Sequence, residues 1–169
     1  MKKLRDIVES PWINPEIENK KISRPDSEID YEDHKEISRM PSGHIVKVSA
    51  DTRTYSVHDP KTGESQLRVW GRLFPTGNKY YVSNLDSHQG NTVKAHELYH
   101  HLITHHGIHL HSDHEQSEGG MKVWKRLQKY SDIHMQSYDP TKKTYSELKP
   151  SFQKDYDMNP RTVLTAKKR

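Results

Sequence analysis

The hydrophobic pattern of this 169-residue chain changes period once, just after Gly90, and that change limits the folds open to it. Upstream, His44–Val48 and Thr54–Val57 are short runs in which Val46 and Val48, then Tyr55 and Val57, recur every second residue. This is the signature of half-buried strands. Asp59-Pro60-Lys61-Thr62-Gly63 reads as a turn, because proline presets φ at its second position and glycine supplies a positive φ at its end. A third run places Leu67, Val69, Gly71 and Leu73 on one face, Pro75-Thr76-Gly77-Asn78 turns the chain again, and Lys79–Ser83 is the fourth strand. Strands joined by such short turns predict an antiparallel meander.

Downstream, Val93, Ala95, Leu98, Tyr99, Leu102 and Ile103 recur at intervals of three and four, which predicts an amphipathic helix closed by Gly107. Ile108–Ser112 reads as a strand, Met121–Tyr130 as a second helix burying Val123, Trp124 and Leu127, and Ile133–Tyr138 as a last strand. The order is β-β-β-β-α-β-α-β. A strand–helix–strand connection requires a crossover, so the expected class is α+β, a mixed α/β domain around a mixed central sheet.

The ends of the chain read differently. Leu, Ile, Val and Phe together supply only 31 of the 169 residues, and the shortage is concentrated outside the patterned region. Residues 1–42 carry Pro11, Pro15, Pro25 and Pro41 among charges and are expected to form a largely extended arm, with one short helix near Asp26–Ser38 capped by Asp26 or Ser27. Residues 43–148 form the expected domain, and 149–169 a basic tail ending in Lys167, Lys168 and Arg169. Both ends are expected to be solvated or draped over a partner. With no cysteine in the chain, a disulfide scaffold, a thiolate zinc site and a thiol nucleophile are excluded. Lys2, Lys3 and Arg5 follow Met1 with no apolar run of the ~7–15 residues of a secretory signal or the ~20 of a bilayer span. The expected location is the cytoplasm.

Thirteen histidines stand out, nine of them between His88 and His114. His96-Glu97-Leu98-Tyr99-His100 is a literal H-E-x-x-H, the spacing that puts two zinc ligands on one helical face with a glutamate as general base, and His106 stands where a third ligand falls in the extended motif. A zinc metallopeptidase through His96, Glu97, His100 and His106 is therefore one reading. Against it, Ile103 occupies the position where the extended motif needs glycine. At ~100° per residue, the ligands also centre about 140° from the apolar stripe. The competing reading is a histidine-rich solvent face whose charge rises below about pH 6.5.

The element order, together with Lys94-Ala95-His96-Glu97-Leu98-Tyr99-His100-His101-Leu102-Ile103, Ile108-His109-Leu110-His111-Ser112-Asp113 and Gln116-Ser117-Glu118-Gly119-Gly120-Met121-Lys122-Val123-Trp124-Lys125-Arg126-Leu127, resembles GNAT-like proteins (the general-control-type N-acetyltransferase superfamily) encoded by tailed phages. The resemblance covers about residues 43–140. It implies acetyl-CoA as the acyl donor, its pyrophosphate held by the loop and helix N-terminus between Asn84 and Ala95, through Leu85, Gln89, Gly90, Asn91, Thr92 and Lys94. The superfamily's signature is Arg or Gln, two residues, Gly, one residue, then Gly or Ala; Gln89-Gly90-Asn91-Thr92-Val93-Lys94-Ala95 supplies these residue types at a different spacing. The resemblance also implies a base and a thiolate-protonating donor, for which Asp113 and Tyr130 are the nearest candidates. A turn cap at Asp113 and a core position beside Trp124 for Tyr130 are the plainer alternatives.

The implied activity is acyl-CoA-dependent N-acylation of an amine on a macromolecule or base, in a host cytoplasm. The alternative is a catalytically silent GNAT-like fold serving as a phage structural or host-interaction module, with the virion as its location. A basic face of Lys122, Lys125, Arg126 and Lys129, with Lys142, Lys143 and the C-terminal basic residues, could meet nucleic acid.

Overall fold

The computed structural model describes residues 21–22, 33–74, 77–88, 90–113, 116–148 and 162–169. Within them the chain runs β1 (Lys21–Ile22), β2 (Lys35–Arg39), β3 (Ile45–Val48), β4 (Thr54–His58), β5 (Ser65–Leu73), β6 (Lys79–His88), α1 (Ala95–His106), β7 (His109–His111), α2 (Glu118–Gln128), β8 (Ile133–Asp139), β9 (Thr144–Glu147) and β10 (Val163–Lys168). The strands form a single sheet in the order β2-β3-β4-β5-β6-β7-β10-β8-β9, with β1 paired to β6 off this path.

The expected meander is β3 to β6, each strand antiparallel to the last. Its alternation lines up across strands: Val46 pairs with Val57 and Val57 with Leu67, and all three are fully buried. The expected crossover is also present, because β6 and β7 are parallel and α1 connects them. α1 buries Leu98, Tyr99, Leu102 and Ile103, and α2 buries Met121, Trp124 and Leu127. The two helices meet where Tyr99 sets its ring edge-on to Trp124 at 5.6 Å. α1 stops because Gly107 takes φ 67 and returns its N–H to the Ile103 carbonyl. α2 starts at Glu118, ahead of the expected Met121, because the Ser117 side chain accepts the Gly120 N–H. Among the described residues, no helix is long and apolar enough to cross a membrane.

Three expectations need correction. Residues 35–39, placed in a helix ending at Ser38, form β2 and pair antiparallel with β3; the expected caps Asp26 and Ser27 lie outside the described residues. The end of the chain, expected as a solvated tail, supplies β10, which lies between β7 and β8, so β8 is not the neighbour of β7. Val163, Leu164, Thr165 and Ala166 are all buried. A strand covered on both faces shows no alternation, which is why this stretch does not read as one. The third correction concerns the histidines. His44, His58, His88, His101, His109 and His111 are buried, so the cluster is not a solvent face alone.

β6 carries two local features. Its ladder with β5 pairs Trp70 with Asn84 but Gly71 with Val82, which leaves Ser83 as an extra, bulged residue. Gly71 sits opposite because a Cβ there would run into the Tyr81 backbone carbonyl. Gly71→Ala is therefore expected to destabilise the protein by about 1–3 kcal/mol, as overpacking does, read as a lowered urea midpoint at unchanged slope; an unchanged midpoint would show that the strands can shift to make room.

The second feature is a divergence. β6 and β7 pair only through Lys79–Tyr81 and His109–His111. Beyond that point the chain turns to β10: the Ser112 N–H donates to the Leu164 carbonyl at 2.8 Å, and its hydroxyl accepts the Leu164 N–H at 2.9 Å. β1 meets the same edge of β6 further on, at Ser87 and His88, in parallel register. Between these pairings the stretch Val82–Asp86 has no strand partner on that edge among the described residues.

Candidate active site

The open stretch of β6 is flanked by two cavities. The first, about 440 Å³, lies between β6, the start of α1 and α2. Ser83, Asn84 and Leu85 form its strand wall, Asn91, Lys94 and Ala95 its helix-entry wall, and Gly119, Gly120, Lys122 and Arg126 its far wall. The second, about 650 Å³, is lined by Arg53, Trp70, Arg72 and Tyr81 from the meander and by Ser112 and Tyr138. Val82, Ser83 and Asp113 line both. The bulge and the strand divergence thus bring two cavities to one meeting point, with a carboxylate beside it.

The first cavity is electropositive on physical grounds. Lys94 is the N-cap of α1, and its side chain makes no capping bond, so the helix's leading N–H groups have no side-chain acceptor there. Such a terminus carries partial positive charge and suits an anion. Lys122 and Arg126 add cationic groups from the opposite wall, Lys122 within 3.6 Å of Glu118. In the second cavity Trp70 is half exposed, with Arg53 and Arg72 nearby.

The expected donor-site residues divide. Leu85, Asn91 and Lys94 line the first cavity. Gly90 takes φ 80 in the turn before α1, a conformation that favours glycine, but does not line the cavity. Thr92 is turned away: its N–H donates to the Gln66 side chain at 3.0 Å and its hydroxyl meets His44 Nε2 at 3.2 Å. It fastens the loop to β5 and caps nothing. Gln89 lies outside the described residues.

Of the two expected catalytic residues, Asp113 stands at the junction of the cavities, just past β7. Tyr130 lines neither. It follows the end of α2, stacks on His100 at 4.0 Å and places its hydroxyl 3.1 Å from His96 Nδ1. Burial, then Glu97 and Asp132, raises its pKa.

The H-E-x-x-H does not assemble. His100 Nε2 is taken by the Asp132 carboxylate at 2.9 and 3.0 Å and His96 by Tyr130, while His106 lies with His101 at the Ser38 hydroxyl rather than with His96 and His100. Glu97 and His100 border a separate cavity of about 630 Å³ beside β2. Nor do the histidines share one solvent-exposed face. Burial, then neighbouring imidazoles, lowers His101 to about 4, and burial is the first cause holding His109 to about 3 and His111 to about 4.

Several site residues escape a reading of the sequence. Ser83 leaves one trace, since the apolar phase of Tyr80 and Val82 breaks before Leu85. Lys122 and Arg126 read as an outward basic face, and both are exposed on α2; that they also line the cavity depends on where α2 meets β6. Arg53, Arg72 and Trp70 carry no signal, because their convergence depends on sheet curvature.

Comparison with known proteins adds little. No protein-family pattern matches the chain, and no curated protein matches it. Among solved structures it is similar to N-acetylglutamate synthase from Neisseria gonorrhoeae complexed with coenzyme A and N-acetyl-glutamate, at 14% identity and a TM-score of 0.38. The match covers 69% of this chain and 26% of that one, so this chain spans about a quarter of that protein's length. At that score the likeness does not decide the fold, and the strand pairing of the chain itself has to.

Proposed function

We propose that this chain is a GNAT-like acyl-CoA-dependent N-acyltransferase, with acyl-CoA in the first cavity and the acceptor amine in the second. The observation that carries the reading is the open edge of Val82–Asp86 at the point where the two cavities share Val82, Ser83 and Asp113. An extended pantetheine arm carries amide groups that need backbone partners, and an unpaired strand edge offers them. The N-terminus of α1 with Lys94, Lys122 and Arg126 suits the pyrophosphate. Bound acyl-CoA would supply an activated thioester carbonyl at the bulge.

The chain's own residues supply the rest. Asp113 would take the proton that the amine loses as its nitrogen bonds to the acyl carbon and the carbon–sulfur bond breaks, coenzyme A leaving as its thiolate and taking a proton from solvent. The bulge at Ser83 removes local backbone groups from the ladder, leaving them to orient the carbonyl. Arg53 and Arg72 beside Trp70 suit an acceptor that carries anionic groups and a planar surface, as an amine on a nucleobase or a modified macromolecule does.

Calorimetric titration of the full chain with acetyl-CoA tests the donor site. The expected dissociation constant is micromolar, weakened about tenfold or more by Lys94→Ala with Arg126→Ala, since each charge-assisted phosphate bond is worth about 1.5–3 kcal/mol. No binding at millimolar acetyl-CoA would overturn the reading.

One observation favours a second reading. β1 lies on the very edge of β6 that a pantetheine arm would follow, so a segment of the chain can occupy part of that edge. A silent module whose slot is filled by its own arm would fail to bind acetyl-CoA and would retain a macromolecular partner that is lost when residues 1–32, which carry β1 but not β2, are removed.

A further inference from the structure

The C-terminal half of α1 holds a histidine group of which the H-E-x-x-H reading used only His106 and the acyl-transfer reading none. His101, His105 and His106 each bring one ligand nitrogen within 4.8 Å of the others. His101 and His105 are four residues apart on one helical face, with their rings stacked at a centroid distance of 4.8 Å, so one ring must turn for both to face a single ion. His106 turns across both, at 5.6 Å from His101 and 5.0 Å from His105.

Ser38 shows where two of these rings aim. Its hydroxyl oxygen lies 2.8 Å from His101 Nε2 and 2.8 Å from His106 Nε2, so the two nitrogens converge on a common point between β2 and the end of α1. A hydroxyl has one proton, so it can donate to only one of them and must accept from the other. A metal ion that displaced the Ser38 hydroxyl from that point would receive lone pairs from both. We propose that His101, His105 and His106 bind a divalent transition-metal ion of the zinc class, with water completing its coordination.

The geometry needs only a modest adjustment. Zinc–nitrogen bonds of about 2.0–2.1 Å in a tetrahedral shell place ligand nitrogens about 3.4 Å apart. From a spread of 4.8 Å, closure needs shifts of roughly 1–1.5 Å. His105 is exposed and His106 is the last residue of the helix, so both have room to turn once the Ser38 hydroxyl releases the Nε2 atoms of His101 and His106. The C-terminal end of a helix carries partial negative charge, which favours a cation there. Imidazole ligands select zinc, copper or nickel over magnesium or calcium, and three protein ligands leave a position open, the arrangement of a reactive or exchangeable zinc site. His100, the nearest histidine outside the group, is engaged by Asp132 and takes no part.

The test is titration of the full chain, without a histidine tag, with zinc chloride by calorimetry, and with cobalt(II) by visible absorption. One zinc per chain and the intense visible bands of four-coordinate cobalt are expected. His105→Ala, at an exposed position, should keep the circular dichroism spectrum and weaken zinc by at least about tenfold, the size of effect shown even by outer partners of metal-bound histidines. His106→Ala should do the same, and His100→Ala should leave affinity unchanged. The proposal is overturned if the wild-type chain takes up less than one zinc, if His105→Ala and His106→Ala bind as the wild type does, or if His100→Ala loses as much as either. Acetyl-CoA binding is read separately, so the two sites stand or fall independently.

Discussion

Asp113→Asn is expected to lower acyl-transfer turnover by about 10²–10⁴-fold, the range that a positioned general base contributes, while acetyl-CoA affinity stays within about twofold. The asymmetry comes from position. Asp113 and Ser83 line both cavities, whereas the cationic groups Lys94, Lys122 and Arg126 line the donor cavity alone. An amide keeps the size of the carboxylate and removes its capacity to take a proton, so substrate binding persists and proton removal does not. Tyr130→Phe provides the contrast. Its hydroxyl is bound to His96 outside both cavities, so turnover should stay within about threefold of the wild type. A large loss with Tyr130→Phe and a small one with Asp113→Asn would reverse the assignment and require the end of α2 to move towards β6.

The second large effect is acid unfolding above the usual carboxylate range. His109 and His111 lie on β7, buried, with pKa values held to about 3 and about 4. The first cause in each case is burial, which penalises the charged ring. His111 stacks on Tyr81 at 4.6 Å with Tyr138 and Tyr145 around it, and His109 Nε2 has no hydrogen-bond partner among the described residues. Both folded-state values lie below the unfolded value of 6.5, so the unfolded chain takes up protons first as pH falls. Their stability is complete above about pH 6.5 and is lost as pH falls towards 4 and 3. With two protons bound preferentially by the unfolded state, the slope approaches about 3 kcal/mol per pH unit.

The two rings together remove at most about 8 kcal/mol, so a domain at the low end of about 5–15 kcal/mol unfolds near pH 4 and one at the high end is only weakened. Urea midpoints measured from pH 7.5 down to 4.5 should fall steadily, and a double variant His109→Phe with His111→Phe should flatten the curve wherever it folds. For wild type, equal midpoints at pH 6.5 and 4.5 would mean that both rings accept protons in the folded state.

The sequence is most legible where one element's own pattern suffices. α1 can be read because Leu98, Tyr99, Leu102 and Ile103 recur at helical spacing, and its end because Gly107 supplies the left-handed residue. Four strands of the meander can be read because Val46, Val57 and Leu67 alternate with polar neighbours and face one core. β10 cannot, since a strand buried on both faces has no alternation to read and Lys167–Arg169 disguise its end. Asp113 and Lys94 are reached through a family resemblance, and both stand at cavity walls. Thr92 reads as part of the helix entry facing the donor, a role that Gln66 overrides by arriving from β5 to take its N–H.

By itself, then, the sequence determined the local elements of the central region, the absence of thiol chemistry, and the mixed sheet, because each depends on neighbours within a turn or a strand. Only the tertiary structure decided which strand lies beside which, where β6 parts from β7, and which histidines are buried. The physical reason is the same in each case. The gap at Val82–Asp86 exists because Ser112 bonds to Leu164, more than fifty residues away, and the imidazoles of β7 stay neutral because Tyr81, Tyr138 and Tyr145 from three other strands close over His111. Contacts of that range leave no period in the chain that makes them.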